Sequence, residues 1–358
     1  MKTIMKKFKA MSLRLFDANS ANTNVTTDTG LTNEMKTFYS NYLINLAEPE
    51  LVHDQFAQKH PIPKNGGKTI EFRKYSALPK ALTPLTEGVT PNGQKLAMSV
   101  ITATVNQYGG FIELSDVLLL TAIDNNLMQS TTVLASQAGR TLDTITREVM
   151  VGGTNVQYAE GQVSARANLC GGSAAAAQNH YLTVEAVRKA VRTLKVMNAP
   201  RINGGYVGII HPDVSHDLMS DPLWVNVKTY SDPSGIYEGE IGKIEGVRFV
   251  ETSEAKIWKA AGKDYATGTE SGGVVTPAAA KRDVYATMIL GANAYGVTEV
   301  TGGGLQHIVK QLGSAGTADP LNQRATAGWK AIKAAERLVE EYMVRVETCS
   351  SFNDAPAN

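Results

Sequence analysis

The densest run of groups able to bind a metal or move a proton is His211-Pro212-Asp213-Val214-Ser215-His216-Asp217. On a helix, Asp213 and His216 stand three apart and share a face, with His211 at the start. Two imidazoles and a carboxylate could hold a divalent cation, but a metal centre needs a further partner that this stretch does not supply. Proline in the first turn favours a helix, so the same residues describe a capped helix with Val214 and Leu218 turned inward. His53, His60, His180 and His307 are scattered without ligand spacing. Cys170 and Cys349 lie far apart, each without a neighbouring histidine, and form neither a redox motif nor a disulfide framework. No G-x-S-x-G, Walker loop, H-E-x-x-H or strand-linked G-x-G-x-x-G occurs, and Gly302-Gly303-Gly304 lacks phosphate-loop context. The expectation is a non-enzyme with no catalytic residue, no cofactor and no metal site.

Charge nearly cancels, with 35 Lys and Arg against 34 Asp and Glu. That balance does not point to strong attraction for nucleic acid or anionic lipid. No apolar run approaches the ~18 residues of a membrane span. Met1 to Lys7 is basic, but Lys9 and Arg14 break up the adjoining residues, so no secretory core is expected. A reducing cytoplasm is the expected place of synthesis.

The elements that would carry these residues centre on one long helix, Ile123 to Gly153. Leu127, Leu134, Ala138, Leu142, Ile145 and Val149 form one stripe of it. Asp124 can cap its start and Gly152-Gly153 its end. At ~1.5 Å per residue it runs roughly 40 Å, long enough to act as a spine. Ahead of it, residues 12 to 33 read as a polar arm, and Thr32 to Glu48 as a helix with Met35, Tyr39, Leu43 and Leu46 on one side. Lys68–Tyr75 alternates as one strand and Ser99–Val105, rich in Thr and Val, reads as a second. The long segment between them, with Pro79, Pro84, Gly88, Pro91 and Gly93, predicts an irregular tip on a two-stranded ribbon. Such a ribbon is marginal alone and needs a surface to lie on. Its basic residues, Lys68, Arg73, Lys74, Lys80 and Lys95, either meet acidic groups of a neighbour or keep an exposed edge soluble. Gly109-Gly110 is a candidate hinge at its base.

After Gly153 a polar loop is expected up to Asn179. Thr183 then caps a helix carrying Val184, Val187, Val191 and Leu194, closed near Asn198-Ala199-Pro200. Tyr206 to Ile210, Val247 to Val250 and Tyr285 to Leu290 read as strands, and residues 260 to 280 as an exposed loop. Strand alternating with helix gives a mixed α/β region. Near the end, Trp329, Ile332, Glu336 and Val339 suit a helix, while Tyr342, Val344 and Val346 suit a strand.

The order of segments, polar arm, ribbon, spine helix, α/β region and late strand, resembles the major capsid proteins of tailed bacteriophages. Local runs sharpen the likeness to the podovirus-type and prophage members of that family. They are Leu85-Thr-Glu-Gly-Val-Thr-Pro91, Ile101-Thr-Ala-Thr-Val-Asn-Gln-Tyr108, Thr141-Leu-Asp-Thr144, Gly242-Lys-Ile-Glu-Gly-Val-Arg-Phe-Val250, Leu321-Asn-Gln-Arg324 and Gly328-Trp-Lys330. The resemblance implies an α+β, Hong Kong-type capsid fold. It implies an N-terminal arm (1–59), an extended β-ribbon loop lying over an adjacent subunit (60–115) and a peripheral domain built on the spine (116–181). An axial domain (182–325) and a returning strand of the peripheral domain (326–358) would complete the chain. The implied partners are further copies of the chain in pentamers and hexamers, scaffolding, portal and decoration proteins, and packaged double-stranded DNA held nonspecifically, with no membrane. Two features depart from some relatives. Only a short polar stretch precedes the first helix, so scaffolding would come from another protein or be dispensable. No motif singles out a crosslinking lysine among Lys68, Lys74, Lys80 and Lys95. The competing expectations are an encapsulin-like cellular shell of the same fold and a metal-dependent α/β enzyme using His211, Asp213 and His216.

Overall fold

A computed structural model describes residues 51–61, 68–75, 78–90, 92–121, 126–159, 164–169, 180–224, 243–263, 269–271, 274–276, 281–299, 305–314, 319–353, 355–356 and 358. The polar arm, the helix expected over Thr32 to Glu48, the cap at Asp124, Cys170 and Gly302 to Gly304 lie outside the described residues.

The first part of the chain supplies β1 (Gln58–His60), β2 (Thr69–Tyr75), β3 (Met98–Thr104), β4 (Asn106–Ser115), α1 (Asp116–Thr121) and α2 (Asn126–Val151). Next come β5 (Val156–Tyr158), α3 (Val184–Val196), β6 (Tyr206–Ile210), α4 (Pro212–Met219), β7 (Lys243–Ile244), β8 (Val247–Glu251) and β9 (Ile257–Trp258). The remainder supplies β10 (Thr269–Ser271), β11 (Val274–Thr276), β12 (Val284–Leu290), β13 (Tyr295–Thr298), β14 (Leu305–Lys310), β15 (Arg324–Lys333), β16 (Ala335–Arg337) and β17 (Met343–Thr348). No helix of the described residues is long and apolar enough to cross a membrane.

The spine is present as α2, a helix of 26 residues, about 39 Å long at 1.5 Å per residue. The middle of its expected stripe is buried, while Val149 is only half-buried and Met150 takes the inward place at the end. Leu134, Ala135, Ala138 and Leu142 pack on Ala327, Trp329 and Ala331 of β15, with Tyr108 and Ile112 of β4 alongside. Its last turn joins a different core, where Met150 and Val151 meet Val207, Ile209, Ala286, Met288 and Tyr295. One helix therefore binds two cores together.

The larger core lies under a mixed seven-stranded sheet of order β5-β17-β12-β6-β8-β7, with β9 added beside β12. β6 and β12 are buried at every residue, which explains why both read as continuous apolar runs. α3 covers this sheet through Val184, Val187, Val191 and Leu194, packed on Tyr206, Ile210, Tyr285 and Val346. The Thr183 hydroxyl caps α3 by accepting from the Ala186 N–H at 3.2 Å.

The ribbon is present, with β2 and β3 antiparallel from Thr69↔Thr104 to Tyr75↔Met98. Its root is not free: Ile70, Phe72 and Ala103 cluster with Ala334 of the body. Gly296 is required there, because a Cβ at that position would meet the Phe72 ring at 2.5 Å.

Several expectations are corrected. Trp329, Ile332 and Glu336 lie in strands, not a helix. Ala325, Ala327, Trp329, Ala331 and Lys333 alternate inward along β15, and that strand is laddered to β4 on one side and β14 on the other. β4 thus belongs with β15 rather than with the ribbon, and β14 with β15 rather than with the α/β sheet. The closing strand β17 forms as its alternation predicts, but it lies between β12 and β5 inside the large sheet. The segment that returns to the spine is β15. The stretch after Gly153 carries β5, and the region from 260 to 280 carries the β10–β11 hairpin. Gly109 and Gly110 are not a hinge. They sit within β4 opposite Lys330 and Trp329, where a Cβ on Gly109 would meet the Trp329 carbonyl oxygen at 2.7 Å.

Candidate assembly interface

The histidine-rich run folds as a helix cap and a clip. His211 is the N-cap of α4, its Nδ1 accepting from the Asp213 N–H at 3.2 Å. Asp213 accepts from the Tyr285 hydroxyl at 2.7 Å. Asp217 accepts from Ser350 Oγ and the Ser351 N–H, each at 2.8 Å, which fastens the C-terminal segment to α4. His216 is mostly exposed, its ring edge-on to Phe352. The two carboxylates of the run are therefore engaged by hydroxyl and amide donors. Among the described residues no cluster of three or more His, Cys, Asp or Glu could hold a metal ion. Burial pushes the His211 imidazole pKa down, assisted by Lys259 and opposed by Asp213 and Glu251.

The other singled-out residues are dispersed. His53 is buried against α2 through Asp143, and His60 stacks edge-on against Phe72. The His180 carbonyl accepts from the Cys349 N–H, and burial lowers the His307 pKa. Cys349 is fully buried. Lys68, Lys80 and Lys95 are exposed. Arg73 and Lys74 make long contacts of 3.9 Å with Glu71 and Glu341, geometry worth little in water.

What stands out instead is uncovered apolar surface. Between β2 and β3, Leu78, Leu82, Leu85, Val89 and Leu96 all point into solvent, with Leu82 83% and Leu85 77% exposed. Pro79 and Pro84 remove backbone donors, and Gly88 takes a left-handed φ of 74°, so the segment forms neither helix nor ladder. The prolines and glycines were legible in the sequence. The leucines among them were the overlooked signal, since a loop that cannot bury them on its own body leaves them for another surface.

A second such surface lies on the face of the β14-β15-β4 sheet turned away from α2. Phe111, Gly328 and Ile308 align across the three strands, and Phe111 is 72% exposed. They border a groove of about 430 Å³ shared with Thr326 and Lys330. Gly328 has no room for a side chain, because a Cβ would meet the Phe111 Cβ at 2.8 Å.

Residues 35–313 match the family described as phage capsid protein. This chain belongs to that family. No curated protein sequence matches the capsid protein, but solved phage capsids share its fold. The cyanophage Pam1 capsid superposes with a TM-score of 0.59 at 11% identity, covering 93% of this chain and 95% of that one. The cyanophage P-SCSP1u capsid gives 0.57 at 12% identity, covering 82% and 87%. The Ralstonia phage GP4 capsid gives 0.55 at 14% identity, covering 85% and 87%. At such low identity the likeness establishes the architecture: the capsid protein has a Hong Kong-type fold, in which the ribbon and spine expected from its sequence take their places.

Proposed function

We propose that this phage capsid protein is the major shell subunit, assembling into pentamers and hexamers of an icosahedral head that encloses double-stranded DNA. The observation that carries this reading is the leucine-bearing loop over residues 78–97, which the body of the chain leaves uncovered. The ribbon supplies contact area that a compact globule lacks, and stable protein contacts bury on the order of 1,600 Å². On this reading the loop of one copy covers the β14-β15-β4 face of the next, a head-to-tail contact. Such contacts close into rings. The same reading assigns the domains. The arm precedes the described body, α2 with β4, β14 and β15 forms the peripheral domain, and the seven-stranded sheet with α3 and α4 forms the axial domain. Scaffolding, portal and decoration proteins are the further partners. DNA contact is nonspecific, consistent with a net charge of +1. The protein is made in the host cytoplasm and resides in the virion capsid.

Expression of the full chain, alone and with a candidate scaffold, followed by electron microscopy and sedimentation, tests the reading. Rings or closed shells are expected. A monomer that stays solitary at high concentration in both preparations overturns it.

A further inference from the structure

Residues 51–61 are held to the body mainly by buried polar bonds. The His53 main-chain N–H donates to Asp143 Oδ1 at 2.7 Å, and its Nδ1 meets Asp143 Oδ2 at 2.6 Å. A carboxylate only accepts, so the His53 proton sits on Nδ1. Asp54 accepts from Thr146 Oγ1 at 2.6 Å and from the Lys333 ammonium. The Tyr295 hydroxyl donates to the His53 carbonyl. His53, Asp54, Asp143, Thr146, Lys333 and Tyr295 are each at most 6% exposed. The apolar contribution is smaller. Leu51 is the one fully buried apolar side chain of the segment, packed with Leu134, Ala138 and Leu142, while Val52, Phe56 and Ala57 are partly covered. Beyond them, β1 pairs in parallel with β13 over three residues.

Burying charged partners returns little more than their desolvation costs, whereas stranding one of them is expensive. A segment held this way is weakly bound overall yet tolerates only one position. Shifted by one residue, His53 would lose the Asp143 carboxylate and Asp54 would leave Lys333 unpaired. Each core closes mostly without it: the strap adds only Leu51 to the α2–β15 core and Val52, Phe56 and Ala57 to the margin of the other, while α2 packs on β15 and the α/β sheet closes through β17. We propose that residues 51–61 are a strap that docks in one register and opens as a unit while both cores stay folded. This holds for the isolated chain and does not depend on shell assembly.

Native-state hydrogen exchange on the full chain, read by mass spectrometry, tests it. Amides from Val52 to His60 are expected to exchange at least tenfold faster than those of Leu134 to Met150, and at lower denaturant. Asp143→Asn, which keeps the side-chain shape but removes the charge, should speed strap exchange a further tenfold or more and leave β12 and β17 unchanged. Strap amides that exchange in the unaltered protein only together with α2 would overturn the proposal. So would a variant in which strap and cores lose protection equally. Should Asp143→Asn not fold, the unaltered chain still decides.

Discussion

Trp329 shows how single atoms fix this architecture. Its indole Nε1 donates to Gln137 Oε1 at 3.0 Å, which ties β15 to α2, and the strand opposite it must come close. A Cβ on Gly109 would strike the Trp329 carbonyl oxygen at 2.7 Å, while one on Gly110 would strike the Gln137 side chain, also at 2.7 Å. A side-chain terminus can yield and a laddered carbonyl cannot. Gly109→Ala should therefore cost about 1–3 kcal/mol as overpacking, and Gly110→Ala less. Urea midpoints of the two variants compare them directly, and an equal or reversed order would contradict the packing account. His211 makes a second case. Its neutral Nδ1 accepts the Asp213 N–H, a role the imidazolium cannot play. Burial lowers its pKa from 6.5 in the folded chain, so the unfolded chain takes up the proton first. The His211 contribution is intact above about pH 6.5 and is lost progressively as pH falls toward the lowered folded value. His211→Asn keeps a capping acceptor without a titrating ring. Thermal midpoints of this variant should fall less between pH 7 and pH 5 than those of the parent, with part of the fall retained because His307 is lowered as well.

At the scale of elements, the C-terminal end of α2 is the joint between the two cores. Arg337 donates to the Val149 carbonyl at 2.7 Å. Arg345 of β17 bonds the Val151 carbonyl and reaches Gly153 O at 3.0 Å. These guanidinium groups satisfy carbonyls that a helix end leaves without partners, and their charge suits its negative pole. Arg345 also bonds Glu347 at 2.8 Å, and Arg166 grips the same fully buried carboxylate through both oxygens. Arg345→Met should lower stability by about 1–3 kcal/mol, less than stranding Glu347 outright, because Arg166 remains. Denaturant titration measures the loss, and no change would show the cap to be idle. The helices and most strands around this joint were legible from spacing. Thr183 with its apolar stripe, and the apolar runs at Tyr206 and Tyr285, left little choice. β15 was not, because its inward positions are mostly alanines chosen to fit under α2, so their alternation is faint beside the three- and four-residue spacing of Trp329, Ile332, Glu336 and Val339. The place of β17 was hidden for another reason. Its pairing with β5 spans about half of the chain, and no local pattern encodes a partner so distant. The His53–Asp143 bond, 90 residues apart, was invisible on the same ground.

At the scale of the whole molecule, two apolar surfaces among the described residues bear on assembly: the loop carrying Leu82 and Leu85, and the sheet face carrying Phe111 and Ile308. Water penalises such exposure by roughly 25 cal/mol per Å², so a neighbouring copy that covers these surfaces gains stability. Replacing Leu82 and Leu85 together with serine removes that incentive without disturbing the monomer. Both side chains already face solvent, and surface changes of this kind stay within about 0.5 kcal/mol. On the proposed reading the same leucines are buried between copies, and truncating a central apolar contact typically costs more than 1 kcal/mol. Since 1.4 kcal/mol corresponds to a factor of ten in an equilibrium constant, the double variant should raise the concentration needed for assembly at least tenfold while its urea midpoint stays that of the parent. Light scattering against protein concentration reads the first quantity and equilibrium unfolding the second. Assembly at the parental concentration would show that the loop is not a contact surface. A lowered midpoint would mean that the leucines support the monomer itself.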